Sequence, residues 1–357
     1  MTNLKITTLS VFVTIFSLYN CQTPDKVPQK QFWCWISAGQ MTNVDSTMQV
    51  LQSQGIDGIL LSASIPRYQE IIPLATKYGI RVHAWSWIMN STQKDTLKQH
   101  PEWLSVNRNG HSLSDSMAYV HYYKFMCPAL PEVRNYIYNR MTQLCQIDDL
   151  EAISLDYHRY VDVILPEKLW DKYGITQHVE HPEWDYGYHP AMIAKFSKQH
   201  GYDPFDQEDP TLDSLWRQFR YDQISEIARE VQKIAHAHGK KLSASPFPTP
   251  TLAKRHVRQE WNAWNLDMAF PMVYNGFYAE EGPEWLHACV TENMNHPDLQ
   301  QVEMYTGLYV PGHRDRDFDL KSAIDIAFAN GSMGVALFDY RTLTDAEWKL
   351  IRDYPRN

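Results

Sequence analysis

Three patterns in the sequence predict an α/β fold whose strands close into a (β/α)8 barrel. The first is a junction that recurs along the chain: an amphipathic helix, a glycine, then a short apolar strand. It stands at Gly55 before Ile59-Leu60-Leu61, at Gly79 before Val82, at Gly239 before Leu242 and at Gly331 before Val335-Ala336-Leu337. Glycine ends a helix by taking the left-handed conformation that residues with a side chain resist, and the strand starts at once. The second pattern is that these strands are apolar on both faces, as buried parallel strands are. The third is their number. Eight candidates lie at 32–37, 58–62, 81–85, 152–156, 242–246, 268–273, 304–309 and 335–339. Eight βα units favour a closed TIM barrel over an open doubly wound sheet. No glycine-rich phosphate loop follows the first strand, which weighs against nucleotide binding.

The elements follow in order from the N-terminus. Lys5 precedes an apolar run at residues 6–18, and Cys21 comes just after it. The run is too short for a bilayer, which takes about 20 residues, and suits the core of an export signal. We expect residues 1–20 to be a signal peptide and Cys21 to become an acylated N-terminus. Residues 21–31, polar and carrying two prolines, read as a tether. The barrel then occupies 32–357. That reading places the domain outside the cytoplasm, lipid-anchored to a bacterial membrane on the periplasmic side or the cell surface.

Within the barrel, Pro131 opens a helix with Val133, Ile137, Met141 and Leu144 inward. A second clear helix, at 215–238, puts Ile224, Ile227, Val231, Ile234 and Ala235 on one face. Long segments follow the third and the fourth strand. Loops after barrel strands build the catalytic face, so both insertions are expected to be substrate walls rather than a second domain.

Composition removes several functions. The 357 residues hold 33 basic against 42 acidic side chains, a net charge of −9, with no basic stripe. That balance argues against nucleic acid, whose phosphates need concentrated Lys and Arg. The histidines are scattered and no carboxylate run has ligand spacing, so neither a metal nor another cofactor is expected. Cys34, Cys127, Cys145 and Cys289 match no zinc pattern, and Cys34, Cys145 and Cys289 read as small core residues.

The fourth strand ends in Asp156, in the stretch Asp156-Tyr157-His158-Arg159-Tyr160. A carboxylate placed where an apolar strand emerges at the catalytic face is where barrels keep their chemistry. Otherwise it would pair with Arg159 or cap a loop. His158 lies two residues on, so an extended segment would point it the same way as Asp156, ready to bind sugar or move a proton. Asp339 ends the eighth strand and is the leading second carboxylate, with an ion pair to Arg341 or Arg159 as the bland alternative. Asp162, Glu183, Asp185, Glu280 and Glu281 lie on catalytic-side loops and remain open for the acid. Asp267 and Glu303 begin strands on the opposite face and read as structural. Trp35, Trp85 and Trp87 end the first and third strands, where a flat aromatic serves equally as sugar platform or as core.

The stretch from Asp156 to Tyr160 resembles the Asp-Tyr-x-Arg-Tyr/Phe strand-end signature of glycosyl-hydrolase-like barrel proteins, those described as family 10 glycosylhydrolases. Pro128-Ala129-Leu130-Pro131-Glu132-Val133-Arg134, Ala269-Phe270-Pro271-Met272-Val273-Tyr274 and Gly334-Val335-Ala336-Leu337-Phe338-Asp339-Tyr340 are similar too. Where that family continues with proline, this chain has Val161. The resemblance implies a TIM barrel and glycoside hydrolysis. On that reading Asp156 is expected as nucleophile or base and Asp339 or a loop carboxylate as the acid, from their places at the strand ends, with His158, Arg159, Tyr274 and Tyr340 around the sugar. Arg159 is further expected to anchor the carboxylates and set their acidity. The sequence thus points to a glycoside hydrolase on an oligo- or polysaccharide. A carbohydrate-binding lipoprotein that has lost catalysis is the alternative, since fold does not fix function.

Overall fold

The computed structural model describes residues 29–91 and 93–356. The expected signal peptide, Cys21 and nearly all of the tether lie outside the described residues. Eight parallel strands pair in chain order, and β8 closes on β1. They are β1 Gln31–Ser37, β2 Gly58–Ser62, β3 Arg81–Trp87, β4 Ala152–Asp156, β5 Lys241–Ala244, β6 Met268–Ala269, β7 Glu303–Tyr309 and β8 Gly334–Phe338. The chain is therefore a TIM barrel. All four junction glycines take positive φ, from 69° at Gly79 and Gly239 to 95° at Gly331. Strands β5 and β6 end earlier than expected because Pro246 and Pro271 have no N–H for the ladder. Pairing resumes on their carbonyls, with Met272 N donating to Pro246 O and Gly307 N to Pro271 O, both at 2.9 Å.

The helices are α1 Val44–Ser53, α2 Ile65–Lys77, α3 Lys94–Gln99, α4 Pro131–Cys145, α5 Trp170–Tyr173 and α6 Pro190–His200. They continue with α7 Ser214–Ala237, α8 Pro250–Val257, α9 Pro283–Asn295, α10 Leu320–Ala329 and α11 Asp345–Asp353. Helix α4 buries Val133, Ile137, Met141 and Leu144. Asp213 starts α7 by accepting from Leu215 N at 2.9 Å, and the helix buries Trp216, Phe219, Ile224, Ile227 and Val231. Each such side chain contributes roughly 1.5–3 kcal/mol when removed from water. Cys34, Cys127, Cys145 and Cys289 are buried and unpaired.

The barrel interior is a packed floor rather than a pore. The Trp33 ring lies 4.6 Å from His83 and 5.2 Å from Phe270, and Phe270 stacks on Tyr305 at 4.8 Å. Two glycines make that possible. A Cβ on Gly58 would stand 2.5 Å from Trp33, and one on Gly334 would stand 2.5 Å from Tyr305. Anything that binds must therefore sit above this layer, at the ends of the strands.

The two insertions, residues 88–130 and 157–213, rise on that side and lock together. Asn107 bridges Tyr186, Arg108 N donates to Asp185 O at 2.9 Å, and Tyr119 Oη donates to Asp162 O at 2.8 Å. Buried Asp185 accepts from Arg220 Nη1 of α7 at 2.7 Å and lies 3.6 Å from Arg258, which follows α8. Arg108 Nε stands 3.7 Å away. One carboxylate thus ties both insertions to two barrel helices.

Candidate active site

Alternation along β4 turns Asp156 inward at the barrel mouth, beside its register partner Trp87. Its Oδ2 accepts from Trp85 Nε1 at 2.8 Å and its Oδ1 from the Tyr157 N–H at 2.6 Å. Burial pushes the Asp156 carboxyl up to about 6, against the opposing pull of Trp85, the Tyr157 N–H and the Arg159 cation. A carboxyl tuned into that range can hold or release a proton near neutrality.

Tyr274 follows β6, and its buried hydroxyl has no partner among the described residues. Burial and the charges of Asp156, Tyr278 and Asp339 hold its pKa well above the usual phenol range, so it stays a donor. The ring is fixed by Phe338 at 5.6 Å, Tyr309 at 5.8 Å and Trp35 at 6.4 Å. Asp339 follows β8. Its Oδ2 accepts from Gln40 Nε2 at 3.2 Å and from Arg341 Nε and Nη2 at 3.3 and 3.2 Å. Its Oδ1 is buried with no protein donor among the described residues. Asp156, Tyr274 and Asp339 form one electrostatic cluster at the mouth, with a donor and an acceptor left open for a ligand.

Other expected site residues stand elsewhere. Tyr157 takes a positive φ of 47°, so the chain leaves β4 by a twist rather than an extended step. His158 therefore points away from Asp156, between the strand and its helices. Its Nε2 donates to Ile224 O of α7 at 2.9 Å, and its ring lies 4.8 Å from Trp264. Burial pushes it down to about 4, so it is a neutral core histidine rather than a sugar ligand. Arg159 does not anchor the carboxylate pair. Its guanidinium donates to Asp162 Oδ2 at 3.0 Å, Tyr160 O at 2.8 Å and Tyr123 Oη at 3.2 Å. It lies 5.0 Å from the Tyr157 ring centre and 5.2 Å from that of Phe125. Its hydrogen bonds go to residues of both insertions, and Asp156 feels it only at a distance.

The aromatic candidates also divide. Trp35 is buried, donates to Ser245 Oγ at 3.3 Å and is wall material. Trp85 holds Asp156. Trp87 is half-buried, with its ring 4.3 Å from Tyr157 and 5.9 Å from Tyr122. Tyr340 packs against Trp348 of α11 at 6.0 Å, behind the mouth. Among the loop carboxylates, Asp162 and Asp185 are buried in arginine pairs, and Glu281 pairs with Arg316 at 3.1 Å. Asp267 accepts from Leu242 N at 2.7 Å, and Glu303 pairs with Lys241 at 3.3 Å, both structural as expected. Gln40 escaped the sequence reading. Its only signal is a polar side chain in the turn just past β1.

Comparison with known proteins gives the same architecture. The spore cortex-lytic enzyme SleL of Bacillus megaterium QM B1551 superposes with a TM-score of 0.50 at 8% identity, over 92% of this chain and 75% of that one. The GH36 α-galactosidase AgaA of Geobacillus stearothermophilus gives 0.48 at 10% identity, over 91% of this chain and 40% of that one. The GH20 exo-β-N-acetylglucosaminidase of Vibrio harveyi gives 0.47 at 10% identity, over 92% and 52%. This chain spans about half or less of the length of the last two. At 8% identity the likeness to SleL is one of fold. No curated protein sequence matches the chain. Residues 64–311 match the family Glycosyl hydrolase-like 10, a stretch that takes in Asp156 and Tyr274 and stops short of Asp339. With well over half its length in that match, this TIM barrel belongs to the Glycosyl hydrolase-like 10 family.

Proposed function

We propose that this chain is a glycoside hydrolase cleaving an oligo- or polysaccharide outside the cytoplasm, held at a bacterial membrane through acylated Cys21. The observation that carries the chemistry is Asp156, buried at a strand end, raised to about 6 and clustered with Tyr274 and Asp339. The pattern from Lys5 to Cys21 supports the location. The raised carboxyl favours Asp156 as the general acid, a reversal of the role expected from sequence. It gives its proton to the glycosidic oxygen as the C–O bond breaks. The charge left on Asp156 is stabilised by the Trp85 and Tyr157 N–H groups. Asp339, anchored through Oδ2 and open at Oδ1, then acts as nucleophile at the anomeric carbon or as base for a water. Tyr274 donates to a sugar oxygen, and Trp87 offers a ring face.

The test is product release, read by mass, from a panel of animal, plant and microbial glycans by the full chain and its Asp156→Asn variant. We expect products from the wild type and a loss of at least about a hundredfold in the variant at unchanged fold, the range for removing a general acid. Equal turnover by both would sink the assignment. Binding without products in both would favour the carbohydrate-binding alternative.

A further inference from the structure

The mouth continues past Asp156 along the β3 side. Trp87 leads to Tyr122, whose ring is 5.9 Å away and whose surface is 51% exposed. Tyr122 in turn lines a cleft of about 400 Å³ within residues 88–130, a volume in the range of small-ligand sites. Leu97 and Leu104 give it an apolar floor, while Lys98, Lys124 and His121 stand on its walls. Among the described residues no Asp or Glu lines it, although the chain as a whole carries a net charge of −9. Lys124 Nζ donates to Leu113 O at 2.5 Å, which leaves two of its three protons for a ligand. Lys98 is exposed and forms no ion pair among the described residues.

An aromatic path from the candidate acid to an apolar, cationic cleft is a poor match for a neutral glycan. The rings and the floor suit the C–H faces of sugar rings. The ammonium groups suit an acidic substituent, since hydrogen bonds between charged partners are the strong ones. We infer that the β3-loop cleft is a remote subsite for a sugar unit bearing a carboxylate or sulfate, so that the substrate is an anionic polysaccharide. The inference rests on the glycoside-hydrolase reading for its link to catalysis, but its binding chemistry can be tested apart from it.

The full-length Asp156→Asn chain serves as a non-consuming receptor. Calorimetry would compare hexagalacturonate with its neutral carboxyl-reduced form, and a chondroitin sulfate hexasaccharide with its desulfated, its carboxyl-reduced and its doubly treated neutral form, and so separate the two sources of charge. We expect at least one anionic form to bind about tenfold or more tightly than its neutral counterpart, and Lys98→Gln to remove about that factor. The affinity should also fall with salt. Lys98 is exposed, so its substitution leaves the fold intact, and Tyr122→Ala should weaken neutral and anionic forms alike. Neutral forms binding as tightly, neither anionic form binding, or Lys98→Gln and Lys124→Gln leaving affinity unchanged would each overturn the subsite. An anionic glycan bound through Lys98 yet never cleaved by the wild type would remove the hydrolase reading and leave the subsite standing. Efficient cleavage of neutral glycans alone would do the reverse.

Discussion

At Asp156 an unfolded chain would hold a carboxyl of ordinary acidity near 3.8, and burial at the barrel mouth moves it to about 6. Between those values the folded state keeps a proton that the unfolded state has lost. Stability therefore falls as pH rises through that window, and above about 6 the full cost is present. A shift of about two units corresponds to at most roughly 3 kcal/mol. Asp156→Asn should accordingly gain stability relative to the wild type between pH 4 and 7.5, measured by urea unfolding. A difference that stays flat with pH would contradict the raised carboxyl. Trp85 works in the opposite sense, because its Nε1–H favours the ionised form. Trp85→Phe should move the alkaline limb of kcat/KM, set by loss of the Asp156 proton, upward by about one unit. No movement would mean that another group is the acid. Asp156 was legible in the sequence because a charge ending an apolar strand needs a reason. His158 was misplaced because its direction depends on the left-handed turn at Tyr157, and a tyrosine gives no hint of positive φ.

The strands were readable because each follows a helix stopped by glycine, and their early ends at β5 and β6 trace to Pro246 and Pro271. The insertions could be assigned to the catalytic side by their place after β3 and β4. How they hold together could not be read, because the binding contacts join residues far apart in the chain. Asp185 is the clearest case. It meets Arg108 from the β3 insertion, Arg220 from α7 and Arg258 past α8, and nothing local marks it as structural rather than catalytic. Burial alone would raise its pKa, but Arg220 and Arg258 override that and hold it below the usual carboxylate range. Asp185→Asn leaves the buried Arg220 guanidinium without its anion, while Arg258 keeps Glu180 and Arg108 keeps Asp209, and should cost about 3–5 kcal/mol, seen as a lower urea midpoint. A loss below 1 kcal/mol would show that the insertions are held by packing alone, since an unneeded ion pair costs little to remove.

On the scale of the whole molecule, the packed floor of Trp33, His83, Phe270 and Tyr305 confines chemistry to the layer above it. Asp162, Asp185 and Glu281 of the mouth loops are paired with arginine, whereas Asp156 and Asp339, the latter paired with Arg341 through Oδ2 alone, are the carboxylates that share Tyr274. The sequence singles out those three and expects Asp156 as nucleophile or base, with Asp339 or a loop carboxylate as the acid; the order we propose is the reverse, because acidity depends on burial and partners that only the assembled barrel supplies. The most direct test of that order uses the sugar that the glycan panel identifies, as a dinitrophenyl glycoside and as its natural linkage. A dinitrophenolate leaves without a proton, so only the natural linkage needs the general acid. Asp156→Asn should keep most of its turnover on the activated glycoside and lose it on the natural one, whereas Asp339→Asn should lose both. Equal loss on both substrates for Asp156→Asn, with Asp339→Asn active, would contradict the account.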